Sequence, residues 1–364
     1  MSALRTIILL LLAALLISAC QPVAVNGPAP AAAAGETPAA PAAAGEASLP
    51  DLGALQIALV PILASAPFYV AADLGFFAEQ GLTVEIQNVR NADEMLAPLS
   101  TGKVDASAAT LSTGILNAMS QKLDFRFVAG QGDPNAPADA APFLVVSKTL
   151  ADSGAVKSVA DLKGRKIAIN LRGSIVEYTL AKGLEQAGLT LADVELVTIP
   201  GGEMLAAVQN GAVDGAALGV LNAERMIAEG VAVPLLKNSD VIPAGGVPGG
   251  VVFGQRLLRP ENREAGIRFL AAYLKAVRFL NEGGWEQPEV VASLQKYTGM
   301  EPALMARLPK VTYSATGELD DTYAEELQRF QIDHGYVEFT EPMPFGQMVD
   351  TSLLEEALAR LDGQ

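Results

Sequence analysis

Residues 170–174 carry side chains that could hold an anion or the carbonyl-rich edge of a ligand. The segment reads NLRGS and links a predicted strand, residues 166–170, to a predicted helix, residues 174–187. Free backbone N–H groups at the start of that helix, the hydroxyl of Ser174 and the guanidinium of Arg172 would all donate hydrogen bonds. The alternative is a structural role, with Ser174 as the helix N-cap and Arg172 as a hydrated loop residue. Our predicted contacts in this segment are Asn170, Arg172, Gly173 and Ser174.

Further candidate contacts lie in the apolar segment 61–69 and after other predicted strands. Phe68 and Tyr69 could form the flat apolar wall that a planar heterocycle needs, or could instead anchor a helix in the core. Neutral hydrogen bonds would come from polar side chains near the ends of these strands. These predicted contacts are Ser65, Ser112, Thr113, Gln131 and Asn222.

The residue inventory gives little support to catalysis. The chain has one histidine, His334, and one cysteine, Cys20. A nucleophile usually needs a neighbouring His or an equivalent base, and a zinc site needs three or four ligands. Spacing alone does not exclude a pair of catalytic carboxylates. We nevertheless expect a binding protein with no catalytic residue, no metal site and no cofactor.

Cys20 follows a short apolar segment near the N-terminus. Arg5 precedes the apolar run 6–17, which is well short of the roughly 20 residues that span a bilayer as a helix. Residues 17–20 read ISAC, which resembles the lipobox at the end of a bacterial lipoprotein signal peptide. The alternative is an ordinary signal peptide with an incidental cysteine. We predict a signal peptide over residues 1–19 and a diacylated Cys20, since two acyl chains give stable anchoring.

The composition changes abruptly after Cys20. Residues 21–50 are mostly Ala, Pro and Gly, with no aromatic residue and no Lys or Arg. Such a segment cannot bury a core, so a disordered tether is predicted over residues 20–50. The formal net charge of −16 argues against nucleic-acid binding. We expect the membrane to be contacted through the lipid alone.

An internal repeat indicates the architecture of residues 51–364. Residues 96–108 read LAPLSTGKVDASA and residues 205–217 read LAAVQNGAVDGAA. Each copy predicts a helix that ends at a glycine in the left-handed C′ position, followed by a short strand of small residues. With the segments upstream, each half reads strand–helix–strand–helix–strand. This order predicts a parallel sheet covered by helices on both faces.

The sequence therefore predicts two doubly wound α/β lobes. We place residues 51–147 and 250–364 in lobe 1 and residues 148–249 in lobe 2. Predicted strands 143–147 and 250–255 would carry the chain between the lobes as a two-strand hinge. A single helix is predicted over residues 68–80, and C-terminal helices are predicted over residues 264–281, 321–334 and 352–361. Ligands of parallel sheets bind beyond the carboxyl ends of the strands, which here would line the cleft between the lobes.

Several motifs resemble the sulfonate-, nitrate- and thiamine-pyrimidine-binding proteins of ABC importers, a thiamine-pyrimidine-synthase-like family. Residues 68–85 contain FYVA, LGFF and GLTVE, residues 161–168 read DLKGRKIA before Gly173-Ser174, and residues 349–353 read VDTSL. The resemblance covers almost all of residues 54–361. It implies a type II periplasmic-binding-protein fold with Venus-flytrap closure, a monomer, and ABC permease and ATPase subunits as partners.

The resemblance leaves the ligand class open. Because segment 61–69 is apolar where relatives often place Asn, His or Trp, we favour a neutral or weakly charged heterocycle such as riboflavin or a thiamine-type pyrimidine. The alternative is a sulfonate- or nitrate-like anion held by Arg172 and the helix start at Ser174. A lipoprotein that presents its ligand to a sensor kinase is a further alternative. We expect the protein on the outer face of the cell membrane.

Overall fold

The computed structural model describes residues 51–133, 141–242, 249–319 and 322–363, which belong to one unit, Ala47–Gln364. The predicted signal peptide, Cys20 and the tether up to residue 50 lie outside these ranges. The strands are β1 Leu55–Leu59, β2 Val84–Asn88, β3 Ala106–Thr110, β4 Phe125–Gly130, β5 Pro142–Ser147, β6 Lys166–Ile169, β7 Glu195–Thr198, β8 Gly215–Ala217, β9 Ala232–Lys237 and β10 Gly249–Gly254. The helices are α1 Ala66–Asp73, α2 Phe76–Glu79, α3 Leu96–Ser100, α4 Thr113–Ser120, α5 Lys148–Asp152, α6 Ile175–Gln186, α7 Met204–Gln209, α8 Val220–Ala228, α9 Arg263–Asn281, α10 Pro288–Thr298, α11 Pro302–Met305, α12 Thr322–Asp333, α13 Phe345–Met348 and α14 Leu354–Asp362.

The strands form two five-stranded sheets of matching topology. The first has the order β2-β1-β3-β10-β4 and the second has the order β7-β6-β8-β5-β9. In each sheet the first three strands in that order pair in parallel, and the fourth runs antiparallel to both of its neighbours. The predicted α/β class with two duplicated sheets is confirmed. We call the first sheet with its packed helices lobe 1 and the second lobe 2.

The repeated Val-Asp motif holds the central strand of each sheet. The carboxylate of Asp105 accepts a hydrogen bond from the backbone N of Gln56 at 2.7 Å, at the start of β1. The carboxylate of Asp214 accepts one from the backbone N of Lys166 at 2.8 Å, at the start of β6. Gly102 and Gly211 precede these motifs with φ of +71° and +75°, as the C′ prediction requires. The repeat is thus a repeat of structure.

Both sheets are covered on both faces, because neighbouring residues of one strand enter different apolar clusters. In lobe 1, Ile57 packs in the cluster of α1 and α9, whereas Ala58 packs in the cluster of α4 and α12. In lobe 2, Ile167 and Ala168 divide in the same way. The burial pattern explains why these short strands are so rich in small and aliphatic residues.

The chain crosses between the sheets twice. It leaves lobe 1 after β4 and enters lobe 2 at β5, and it returns between β9 and β10. Since β4 and β9 run parallel to the central strands, both crossings start at the carboxyl edge of a sheet. Strand β5 pairs with β8 and β9. Residues 142–147 therefore belong to the second sheet, although the sequence placed them in lobe 1.

The predicted helix over residues 68–80 is wrong in one respect. It is two helices, α1 and α2, separated at Gly75, whose φ of +84° ends the helical path. The three C-terminal helices are confirmed as α9, α12 and α14, with ends within two residues of those predicted. Among the described residues, no helix is both long and apolar enough to cross a membrane.

Two buried tyrosines in the lobe 1 core provide a stability test. Tyr273 and Tyr313 are both fully buried, but only Tyr313 has a partner for its hydroxyl among the described residues, the carbonyl of Leu63 at 2.8 Å. Tyr273→Phe removes a buried hydroxyl that lacks a partner, so we expect the free energy of unfolding to rise by about 1 kcal/mol. Tyr313→Phe leaves the Leu63 carbonyl unpaired and should lower it by about 1 kcal/mol. Urea unfolding measures both, and a loss of stability in Tyr273→Phe would contradict the assignment.

Candidate functional site

The loops at the carboxyl edges of the two sheets meet. In lobe 1, β3 leads through Leu111 to the start of α4, and in lobe 2, β6 leads through Gly173 to the start of α6. The amide nitrogen of Gln331, on α12, donates to the carbonyl of Gly173 at 2.6 Å and to that of Leu111 at 3.4 Å. The hydroxyl of Thr113 also donates to the Gly173 carbonyl, at 3.3 Å. The strand ends predicted to line a cleft therefore face one another.

Gly173 has a backbone conformation and surroundings that few other residues would tolerate. Its φ is +70°, in the left-handed region. A Cβ at this position would overlap the hydroxyl of Thr113 and would lie 3.1 Å from the ring of Tyr336. The turn of residues 170–174, which we call the Gly173 turn, is thus packed against side chains of lobe 1.

The carboxylate of Glu177 occupies the helix start that the sequence assigned to an anion. It lies in the first turn of α6, is completely buried, and accepts a hydrogen bond from the backbone N of Gly173 at 2.6 Å. The hydroxyl of Tyr336 donates to its second oxygen at 2.9 Å. Burial raises the pKa of Tyr336, and the bond to Glu177 raises it further. The first turn of α6 therefore already holds a negative group of its own.

Arg172 is the cation nearest to this carboxylate. One guanidinium nitrogen lies 3.1 Å from Glu177, and the Arg172 side chain is 46% exposed. A guanidinium has five N–H donors in a planar fork, so one ion pair does not exhaust it. Arg172 can pair with Glu177 on one side and with a ligand on the other.

Phe68 and Tyr69 lie in the core of lobe 1. Of the two roles that the sequence allowed, a wall of the ligand site or an anchor in the core, they have the second. Both are fully buried, and the Phe68 ring packs 4.8 Å from that of Tyr273. Tyr69 stacks on Tyr297 at 4.4 Å, and burial raises its pKa to about 12. The hydroxyl of Ser65 donates to the carbonyl of Val60 at 2.9 Å. Neither ring has exposed surface for a ligand in this conformation.

The other predicted contacts divide between helix caps, a side chain bonded within lobe 1 and two residues near strand ends of the second sheet. Ser112 and Ser174 are the N-caps of α4 and α6, accepting from the backbone N of the third helical residue at 3.2 and 3.3 Å. Gln131 donates from its side-chain amide to the carbonyl of Ala64. Asn170 is exposed, and Asn222 is half-buried in the first turn of α8. Asn170 follows β6 and Asn222 follows β8, so both lie near the carboxyl edge of the second sheet.

Two exposed apolar side chains are a feature that the sequence analysis missed. Ile62 is 43% exposed and Leu171 is 39% exposed, the large hydrophobic residues most accessible in the described part of the chain. Ile62 follows β1 and Leu171 follows β6, so they occupy equivalent loops at the carboxyl edges of the two sheets. Apolar surface in such a position suits the body of an organic ligand.

Glu177, Gln331 and Tyr336 were also absent from the predicted site. For Glu177 a local signal existed, because Ser174-Ile175-Val176-Glu177 is the Ser-x-x-Glu pattern of a capping box. Here the carboxylate reaches one residue further back than in that motif, to the N of Gly173. Gln331 and Tyr336 carry no such signal, since each meets lobe 2 through contacts some 160 positions away in sequence.

Helices α6 and α12 extend the contact between the lobes beyond the loops. The hydroxyl of Tyr178 donates to Glu326 at 2.7 Å, and its ring packs edge-on against Phe330 at 5.4 Å. Burial raises the pKa of Tyr178, and the bond to Glu326 adds to that effect. Within the described ranges, no three His, Cys, Asp or Glu side chains come together as metal ligands would.

A family model described as "NMT1/THI5 like" matches residues 63–283, which is more than half of the chain. The chain belongs to this family. A search of curated proteins finds no significant match.

Solved structures of binding proteins share the fold at low sequence identity. The periplasmic aliphatic sulphonate-binding protein SsuA from Escherichia coli is 20% identical with a TM-score of 0.65, over 82% of this chain and 92% of its own. The periplasmic nitrate-binding protein NrtA from Synechocystis PCC 6803 is 14% identical with a TM-score of 0.65, over 87% of this chain and 91% of its own. The predicted type II periplasmic-binding fold is confirmed.

An enzyme is also among the structural neighbours. The desulfurization enzyme DSZB is 16% identical with a TM-score of 0.60, over 84% of this chain and 99% of its own. The same two-lobed architecture is therefore found in binding proteins and in an enzyme, so fold alone does not decide the activity.

The packing of the Gly173 turn against lobe 1 predicts unequal effects of two glycine substitutions in lobe 2. Gly173 and Gly188 have φ of +70° and +73°, but nothing lies within 4 Å of a Cβ built on Gly188. Gly188→Ala should therefore lose only roughly 1–2 kcal/mol of unfolding free energy through backbone strain. Gly173→Ala should lose more, because the methyl group also meets Thr113 and Tyr336. Urea unfolding of both variants measures the difference, and equal losses would contradict the packing.

Proposed function

We propose that this chain is the extracytoplasmic solute-binding component of an ABC importer and holds its solute between the two lobes. The observation that carries the proposal is the meeting of the two carboxyl edges, where Gln331 joins the carbonyls of Leu111 and Gly173. Ligands of open parallel sheets bind at such edges. The matched family and the binding proteins that share the fold support the same function.

The proposed ligand is a small organic oxyanion of the sulfonate type. The structural neighbours SsuA and NrtA are a sulphonate-binding and a nitrate-binding protein. Arg172 supplies a partly exposed guanidinium at the cleft edge, and planar forks of this kind bind oxyanions bidentately. Ile62 and Leu171 add exposed apolar surface on each side. A ligand with a charged head and an apolar body uses both features, whereas nitrate uses only the first.

A neutral heterocycle is the second candidate, and the acidic helix starts favour it. Glu177 fills the first turn of α6, and Asp93 lies at the start of α4, with one oxygen 3.5 Å from the hydroxyl of Ser112. Both carboxylates disfavour an anion, and the exposed Asp93 can accept hydrogen bonds from ring N–H or amino groups. Riboflavin or a thiamine-type pyrimidine has such donors and a planar apolar body.

Binding without turnover is the activity that the described residues favour. The histidine, His334, lies on the surface after α12, with its Nδ1 2.8 Å from the carbonyl of Phe330. No nucleophile is paired with it in the contacts of the described chain, as acyl or group transfer would require. Incubation of the protein with each candidate ligand, followed by mass spectrometry of the ligand, tests this assignment directly.

A thermal-shift screen of organic sulfonates, nitrate, riboflavin and thiamine-type pyrimidines tests the ligand class. A ligand at 100 times its dissociation constant stabilises the folded state by about 2.7 kcal/mol. We expect an organic sulfonate to raise the melting temperature, and Arg172→Ala to weaken its affinity at least about tenfold through loss of a charge-assisted pair. For a heterocycle the same variant should weaken binding only slightly.

Arg165→Ala is the matched control for this screen. Arg165 is also in lobe 2 and also pairs with a carboxylate, that of Asp214 at 3.4 Å, but it precedes β6 at the opposite edge of the sheet. It should leave every ligand shift unchanged. A shift with a vitamin and none with any oxyanion would overturn the sulfonate proposal, and no shift with any compound would contradict the solute-binding function as stated.

We further propose that the protein is anchored through two acyl chains on Cys20, which lies outside the described residues. Each buried methylene contributes about 0.8 kcal/mol, so two chains hold a protein on a membrane. Cys20→Ala removes the chain's single cysteine. We expect the variant to lose metabolically incorporated palmitate and to move from the membrane fraction to the soluble fraction. A variant that stays membrane-bound would contradict the anchor.

A further inference from the structure

The Gly173 turn of lobe 2 is held from three directions by side chains of lobe 1. Thr113 and Gln331 donate to the Gly173 carbonyl, at 3.3 and 2.6 Å. Tyr336 donates to Glu177, whose other oxygen accepts from the N of Gly173. The carbonyl of Gly173 is thus bonded directly to lobe 1, and the N–H of Gly173 is linked to lobe 1 through Glu177 and Tyr336.

These bonds differ from those that hold each lobe together. Thr113 is the first residue of α4, Gln331 lies on α12, and Tyr336 follows α12. Both helices share an apolar cluster with Phe125 and Phe127 of the first sheet. Glu177 is fixed to its own lobe by the N of Gly173 and by Arg172. The two sheets are paired separately, although the apolar cluster of α4 and α12 also includes Tyr178 and Ala181 of α6. Separation of the lobes would therefore break these bonds and expose Tyr178 and Ala181, while both sheets stay paired.

The orientation of the Gln331 amide follows from its surroundings. Two carbonyl oxygens, those of Leu111 and Gly173, lie within hydrogen-bond distance of the same side-chain atom. That atom must be the nitrogen, because a carbonyl accepts and cannot donate. Gln331 is fully buried. Its amide nitrogen bonds the residues that follow β3 and β6 at the same time.

We propose that Thr113, Gln331 and Tyr336 form a latch that binds the Gly173 turn when the lobes close. The latch lowers the free energy of the closed conformation relative to the open one. It rests on the proposed function, in which the lobes open and close around a solute. Its effect on closure is separable from the ligand, because the bonds join protein to protein.

The bond between Tyr336 and Glu177 is the best single probe of the latch. Tyr336→Phe removes one hydroxyl from a half-buried side chain and leaves Glu177 paired with Arg172 and the N of Gly173. A hydrogen bond to a charged group contributes more to stability than one between neutral groups. The ratio of closed to open molecules should therefore fall at least about tenfold, the factor that corresponds to about 1.4 kcal/mol.

Tyr297→Phe is the matched control. The hydroxyl of Tyr297 also donates to a carboxylate, that of Asp73 at 3.0 Å, but both residues belong to lobe 1. Its loss should not change the ratio of closed to open molecules. Thr113→Val is a second latch variant, of nearly unchanged shape, and should shift the ratio in the same direction as Tyr336→Phe.

The population of closed molecules is measured as a distance between spin labels, one on each lobe of the full chain carrying Cys20→Ser. Lys103→Cys and Ala212→Cys place the labels at exposed, equivalent positions of the internal repeat, at the edges away from the cleft. Double electron–electron resonance then gives the distribution of distances between the two labels, with and without an organic sulfonate. Circular dichroism checks that each variant is folded.

Without ligand, we expect a smaller population at the distance of the closed conformation in Tyr336→Phe and Thr113→Val. We expect no change in Tyr297→Phe. An unchanged distribution in folded latch variants, or an equal change in Tyr297→Phe, would overturn the latch. Failure of the sulfonate to change any distribution counts against the proposed ligand alone, because the comparison of unliganded variants still tests the latch.

Discussion

Each sheet depends on one carboxylate at the amino end of its third strand. Asp105 holds the start of β1 and Asp214 holds the start of β6, each through a hydrogen bond to a backbone N. Each of these carboxylates also pairs with an arginine, Arg256 in lobe 1 and Arg165 in lobe 2. By fixing one end of the central strand against its neighbour, the aspartate sets where the other end falls. The loops that meet between the two sheets begin at those other ends.

Much of this frame was predictable because its determinants are local. A glycine after a helix, a run of small residues and a repeated Val-Asp each act within a few positions, so their spacing alone predicted the duplicated strand–helix order. The break at Gly75 is also local, but an apolar pattern continues across it and hid the change from one helix to two. Strand β5 pairs in lobe 2 with partners that are far away in sequence. For this reason the sequence placed it in lobe 1.

The candidate site was predictable only in outline. The Gly173 turn was predicted because a loop after a buried strand marks the edge of a parallel sheet. Its partners were not, since Gln331 and Tyr336 reach it only through the docking of α12. Phe68 and Tyr69 show the opposite failure, because an aromatic residue that packs in a core and one that lines a pocket have the same local pattern.

The charge at the Gly173 turn is set by the balance between Arg172 and Glu177. The guanidinium is partly exposed and the carboxylate is buried, so the pair presents its positive side outward. A ligand anion would gain from that exposure, while a neutral ligand would gain more from the carbonyl and carboxylate acceptors nearby. The exposed Ile62 and Leu171 favour an apolar body in either case.

We expect one solute to contact both lobes at these loops. Hydrogen–deuterium exchange of the backbone amides of residues 111–115 and 171–175, with and without a saturating organic sulfonate, measures this directly. We predict slower exchange in both segments at once when the solute binds. Slower exchange in only one segment, or in neither, would contradict it.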